Sequence, residues 1–192
     1  ADLSALKDET GIDAMIMSVS RSQESMERIR DRIDSNSHEG GWIIRDKNGF
    51  DISDSADLLG IIFYVQSRRN GAWALNGDVN RLQDFYDAGL RIFQVTYGAD
   101  ENHGQGEKLG YGSYENDSLG LTDLGRSAVL KANEIGMVVD CSHCNRQTTL
   151  DVAALSNQPV LVTHANAASL VPARRNKSDE ELLAIAQTGG VV

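Results

Sequence analysis

The chain has 192 residues, 41% of them hydrophobic and 24% charged, and its 18 Lys+Arg against 28 Asp+Glu leave a formal net charge of −10. That is ordinary for one globular domain with enough length to bury a core. The acidity and the lack of a basic cluster argue against nucleic acid and anionic membrane surfaces as partners, and no apolar run approaches the roughly 20 residues of a spanning helix. Two cysteines, Cys141 and Cys144, cannot build a disulfide framework and leave the compartment open, cytoplasmic or periplasmic/secreted. The chain opens at Ala1 without a signal segment, so either a leader was removed or it starts within a longer protein.

In chain order, apolar runs of strand length alternate with segments of helical period. Strands are expected at Ala14–Ser18, Gly60–Val65, Arg91–Thr96, Gly136–Asp140, Val160–Thr163 and Gly189–Val192, apolar on both faces as in a buried parallel sheet. Helices are expected at Gln23–Asp34, Asp78–Ala88, Thr122–Ile135, Gln147–Leu155 and Ser178–Thr188. Thr122 is a cap with Asp123 in the first turn, and Ser178-Asp179-Glu180-Glu181 is a capping box. Trp42–Ile52, with Asn48-Gly49 between apolar residues, fits a small hairpin or a loop, and we favour the loop. The order is β then helix, repeated, which means an α/β fold with parallel strands in a single domain. No glycine-rich phosphate motif follows a strand, which disfavours nucleotide-binding sheets. The chain also stops within the strand-like run Gly189–Val192, which suits part of a (β/α)8 barrel better than an open sheet.

His143 and His164 each end a predicted strand, and the two strands are consecutive. Adjacent parallel strands lie about 4.8 Å apart, so the two imidazoles could share a metal ion at the barrel end where active sites sit. Cys141-Ser142-His143-Cys144 is a Cys-x-x-Cys without a second pair; we read it as two incidental thiols, buried or half-buried, rather than a zinc knuckle or redox pair. Arg174-Arg175 either grips a substrate carboxylate or is solvated loop charge. Tyr97 either hydrogen-bonds a substrate carbonyl or closes the barrel mouth. The Gly-rich loop 98–117 has the length of a functional loop; His103 within it and His38 in an earlier turn read as surface residues.

Four stretches carry a resemblance. They are Gly89–Tyr97, Gly120–Arg126, Asn133–His143 and Pro159–Asn166, followed by Arg174-Arg175-Asn176 with Asp179 and the closing Gly-Gly-Val-Val. In this order they resemble the membrane (renal-type) dipeptidases, peptidase family M19, over roughly residues 78–192. The resemblance implies a (β/α)8 barrel of the metal-dependent hydrolase type with a binuclear Zn2+ site, hydrolysis of dipeptides including ones with a C-terminal D-residue, and a small peptide as partner. It implies that His143 and His164 hold the second zinc, that Arg175 grips the substrate carboxylate, and that Tyr97 stands near the substrate carbonyl in a catalytic or binding role. The family's bridging Glu falls at Gln66, a neutral amide expected to hold two dications poorly. The family's first-zinc ligands, a His-x-Asp and a later Asp, are absent; the chain is expected to begin after the first strand and end near the seventh, about six of eight units.

Three readings follow. The first is a zinc dipeptidase, its water activated by metal. The second, motivated by Gln66, is a divergent relative that binds or modifies a peptide-derived metabolite. The third is a barrel portion inactive alone, whose open sheet edges invite pairing; assembly as a homodimer is left open.

Overall fold

The computed structural model describes residues 3–19, 22–36, 40–65, 75–97 and 108–192. The chain divides into two compact units, Ala1–Val65 with Asp84–Ile92, and Gln66–Gln83 with Phe93–Val192. His38, Gln66 and His103 lie outside the described residues.

The first unit carries α1 (Leu3–Thr10), β1 (Ala14–Ser18), α2 (Gln23–Ser35), β2 (Gly41–Ile43), α3 (Lys47–Ser55) and β3 (Leu59–Val65). Next, α4 (Arg81–Asp87) and β4 (Leu90–Gln94) each cross from one unit to the other. In the first unit β3 pairs in parallel with β1, Ala14 opposite Gly60 through Ser18 opposite Tyr64, and with β2, Gly41 opposite Leu59 through Ile43 opposite Ile61. Every β3 residue except Ile62 is buried, as expected of a strand covered on both faces.

Two elements depart from the expectation. Trp42–Ile52 is neither hairpin nor loop: it holds the end of β2 and the start of α3. The reason is Asp46, whose carboxylate accepts from the backbone N–H groups of Asn48 (2.9 Å) and Gly49 (3.1 Å). That satisfies the orphan donors of a helix start, so Asn48-Gly49 enters a first helical turn instead of reversing a hairpin. The second is α1, which buries none of its residues and so offers no periodic apolar face to read.

The second unit carries α5 (Asp123–Ile135), β5 (Val138–Asp140), α6 (Arg146–Leu155) and α7 (Asp179–Gln187). Thr122 caps α5 by accepting from Gly125 N, and Gly136 ends it in the left-handed region at φ 78, its N–H on Ala132 and Asn133 carbonyls. The capping box at Ser178 and Glu181 is present in full. The expected strands Val160–Thr163 and Gly189–Val192 occur as single parallel bridges, Asp140 with Leu161 and Leu161 with Val191. Their backbone bonds, Cys141 N to Leu161 O (2.8 Å) and Val162 N to Val191 O (2.9 Å), still carry the parallel order onward from β5. Among the described residues no helix is long and apolar enough to cross a membrane.

Gly125 is the tightest point of this unit. A Cβ there would run into the Leu109 carbonyl, a backbone atom that cannot swing aside. We expect Gly125→Ala to destabilise the protein by about 2–3 kcal/mol in chemical denaturation; a variant as stable as the parent would contradict this packing.

Candidate metal centre

The chain leaves β5 at Asp140 and turns at once. Cys144 N donates to Cys141 O at 3.1 Å, closing a four-residue turn with His143 third at φ 64. Positive φ at the third position marks a type II turn, where Gly or Asn is usual. A non-glycine residue held there costs on the order of 1–3 kcal/mol and persists only if its surroundings fix it. They do: the His143 carbonyl accepts from Ser113 N (2.8 Å), Ser113 Oγ (2.9 Å) and Thr96 Oγ1 (3.3 Å). Ser113 belongs to the long loop expected to be functional, whose residues from Lys108 onward lie against this turn. The helix that follows begins at Asn145, whose side chain caps α6 through Thr148 N and donates to the Asn116 and Leu119 carbonyls.

His164 lies in a bend and is placed by a buried carboxyl group. Asp140 is fully buried. Its Oδ1 accepts from Ser142 N (3.1 Å), Ser142 Oγ (2.8 Å) and Thr163 N (3.0 Å), and its Oδ2 from Thr163 Oγ1 (3.1 Å). Thr163 Oγ1 also lies 2.9 Å from His164 Nδ1. The hydroxyl has one proton, and the carboxyl group is the stronger acceptor. Nδ1 of His164 is therefore assigned as the donor, which leaves the lone pair on Nε2.

His143 reaches the same state by another route. Arg175 Nη2 lies 3.3 Å from His143 Nε2. A guanidinium can only donate, so Nε2 is the acceptor and Nδ1 carries the proton, consistent with a ring hydrogen bond to the Tyr97 carbonyl. Burial first, then the Arg175 cation, lowers the His143 pKa to about 4. Burial also lowers that of His164, opposed by the charge of Asp140. Both shifts favour the neutral ring, the form that binds metal.

The rings stand together. Tyr97 stacks on His143 with centroids 4.2 Å apart, and His143 meets His164 edge-on at 4.9 Å. The structure thus brings Tyr97, His143, His164 and Arg175 into one cluster in the second unit, while Arg174 is exposed. The donor set fits zinc: two imidazoles, each protonated on Nδ1 with its lone pair on Nε2, that of His143 accepting from Arg175. Among the described residues no group of three or more His, Cys, Asp or Glu converges on one point. His143 and His164 would therefore supply part of a metal's coordination sphere. Cys141 and Cys144 are buried free thiols. The hydrogen bond from the neighbouring thiol, then burial, holds the Cys141 pKa well above its usual range, which suits an inert side chain.

Sequence reasoning missed Asp140, Thr163, Ser142 and Ser113. Their hydroxyl and carboxyl groups have no spacing signal, since they act across strand ends that only the fold brings together. It also missed Lys177, which reads as one more charge before a helix.

Residues 42–192 match the membrane dipeptidase family, peptidase family M19. The "uncharacterized protein in pqqA 5'region" of Klebsiella pneumoniae is 34% identical over 135 residues, covering 70% of this chain and 48% of that protein. An amidohydrolase from Pseudomonas aeruginosa superposes with a TM-score of 0.82 at 26% identity, covering 98% of this chain and 57% of that one. A metallopeptidase from Rhodobacter sphaeroides, liganded with a phosphinate mimic of the dipeptide L-Ala-D-Ala, does so at 0.71 and 23% identity, covering 92% and 50%. These likenesses show the α/β fold of the barrel type. The chain spans about half the length of the relatives it matches.

An unfolded histidine titrates near 6.5 and folded His143 near 4. Between those values the unfolded chain binds more protons, so stability is present above about pH 6.5 and is lost as pH falls toward 4. We expect metal-free protein to lose on the order of 3 kcal/mol from this group, and His143→Gln to lack that part of the loss. Denaturant titrations near pH 7 and near pH 4 on both proteins check it; parallel pH profiles would contradict it.

Proposed function

The chain belongs to the membrane dipeptidase family, peptidase family M19, and from that premise we propose that it forms part of a zinc-dependent hydrolase of dipeptides, including ones with a C-terminal D-residue. The observation that carries this reading is the pair of imidazoles 4.9 Å apart, both with the lone pair on Nε2. His143 and His164 would hold the metal. Zinc bound there supplies Lewis acidity and a water of lowered pKa.

The chain's own residues supply the rest. Asp140, through Thr163, keeps His164 in its metal-binding tautomer. The Tyr97 ring packs on His143 and walls that side of the site. Arg175 donates to the lone pair that a metal would take. With a metal held at His143, the Arg175 guanidinium would be placed to pair bidentately with the substrate's terminal carboxylate.

A second reading is favoured by Gln66, the neutral amide at the position of the family's bridging carboxylate. In it the site binds or modifies a peptide-derived metabolite without cleaving peptides.

One experiment separates them. Hydrolysis of Ala-D-Ala is measured for the full-length protein, for His143→Ala, for His164→Ala and for Gln66→Glu. The dipeptidase reading expects activity in the parent and a fall in kcat/KM of at least about a thousandfold in each histidine variant. Unchanged kcat/KM in both would contradict it. Activity that appears only with Gln66→Glu favours the second reading.

A further inference from the structure

Two residues after Arg175 lies a lysine that none of these roles uses. Lys177 is 1% exposed. Its Nζ donates to the Cys144 carbonyl at 2.8 Å and to Thr149 Oγ1 at 2.8 Å, and lies 3.2 Å from Glu181 Oε1. Three partners match the three protons of an ammonium. The other oxygen of Glu181 takes the N–H and hydroxyl of Ser178, at 2.9 and 2.8 Å. The main chain of Lys177 is bonded as well, its N–H to Asn166 O (2.9 Å) and its carbonyl from Ala168 N (2.8 Å).

This residue therefore joins the turn after His143, α6, α7 and the segment after His164. Removing an ammonium and a carboxylate from water is costly, and an apolar pair of like volume is often no less stable. Stability alone does not account for the choice; geometry does. The neighbouring Asn176 holds its loop to Val171 O (2.7 Å) and Asn166 N (3.1 Å), on the His164 side. The Lys177 bond to Cys144 ties the same loop to the backbone directly after His143.

We propose that Lys177 is a positioning residue that pins Arg175 against the turn carrying His143. The kinetic consequence rests on the reading of Arg175 as the substrate-carboxylate group; the structural one does not.

Lys177→Met alone strands Glu181 as a buried unpaired charge and is expected to fold poorly. The informative variant is Lys177→Met with Glu181→Gln in the full-length protein, where Gln keeps an acceptor for Ser178. In a crystal structure of that variant without metal, Arg175 is expected out of hydrogen-bond reach of His143 Nε2. In steady-state assays, KM for a dipeptide is expected to rise about tenfold or more, kcat to stay within about threefold, and KM for the dipeptide's C-terminal amide to stay unchanged. A guanidinium still seated on His143 would overturn the proposal. So would KM values for acid and amide rising together, or a double variant without a cooperative melt, which would mark the pair as needed for the fold itself. If the parent cleaves no dipeptide, the hydrolase reading fails, and the position of Arg175 in the crystal still decides the role of Lys177.

Discussion

The carboxyl group of Asp140 has no access to water, so the protein must satisfy it. It does so with two backbone N–H groups and two hydroxyls, from Ser142 and Thr163. Ser142 belongs to the turn that carries His143, and Thr163 directly precedes His164. One buried group thus couples the ends of consecutive parallel strands, where the two imidazoles lie. An acceptor on one strand end and hydroxyls on both fix the spacing of the two strand ends. Through Thr163 the same group selects the tautomer of His164. Removing the carboxyl would leave two hydroxyls and two N–H groups to repartner in a dry site.

Around this tie the second unit is built from converging caps. Asn145 starts α6 directly after the His143 turn, and Ser178 with Glu181 starts α7 directly after the Arg175 segment. Both helices therefore begin within a few residues of the cluster, and their first turns are fixed by the side chains that end its loops. The left-handed backbone of His143 fits this arrangement. It is tolerated because three donors hold its carbonyl, and it aims the imidazole at His164 and Tyr97.

Much of this was legible from residue order. The strand Ala14–Ser18 lies where its apolar run put it, and α5 and α7 begin at the caps that Thr122 and Ser178 announced. Local chemistry decides such elements, so a local reading finds them. Asp46 shows the limit: its carboxylate captures the Asn48 and Gly49 N–H groups, and a dipeptide that signals a hairpin becomes a helical turn. The histidines could be picked out because imidazoles following two consecutive apolar strands have a position as well as a metal-binding type. Lys177, and the part Asp140 plays in tying the two strand ends, could not. Their meaning lies in partners 23 and 33 residues away, which residue order alone does not bring together.

The central claim is that His143 and His164 face one metal through Nε2. Zinc per chain, measured by plasma mass spectrometry on protein purified without chelator, tests it most directly. The parent is compared with the His143→Ala/His164→Ala double variant. We expect zinc in the parent and about one ion fewer per chain in the double variant. Equal zinc in the two proteins, or none in the parent, would contradict the claim.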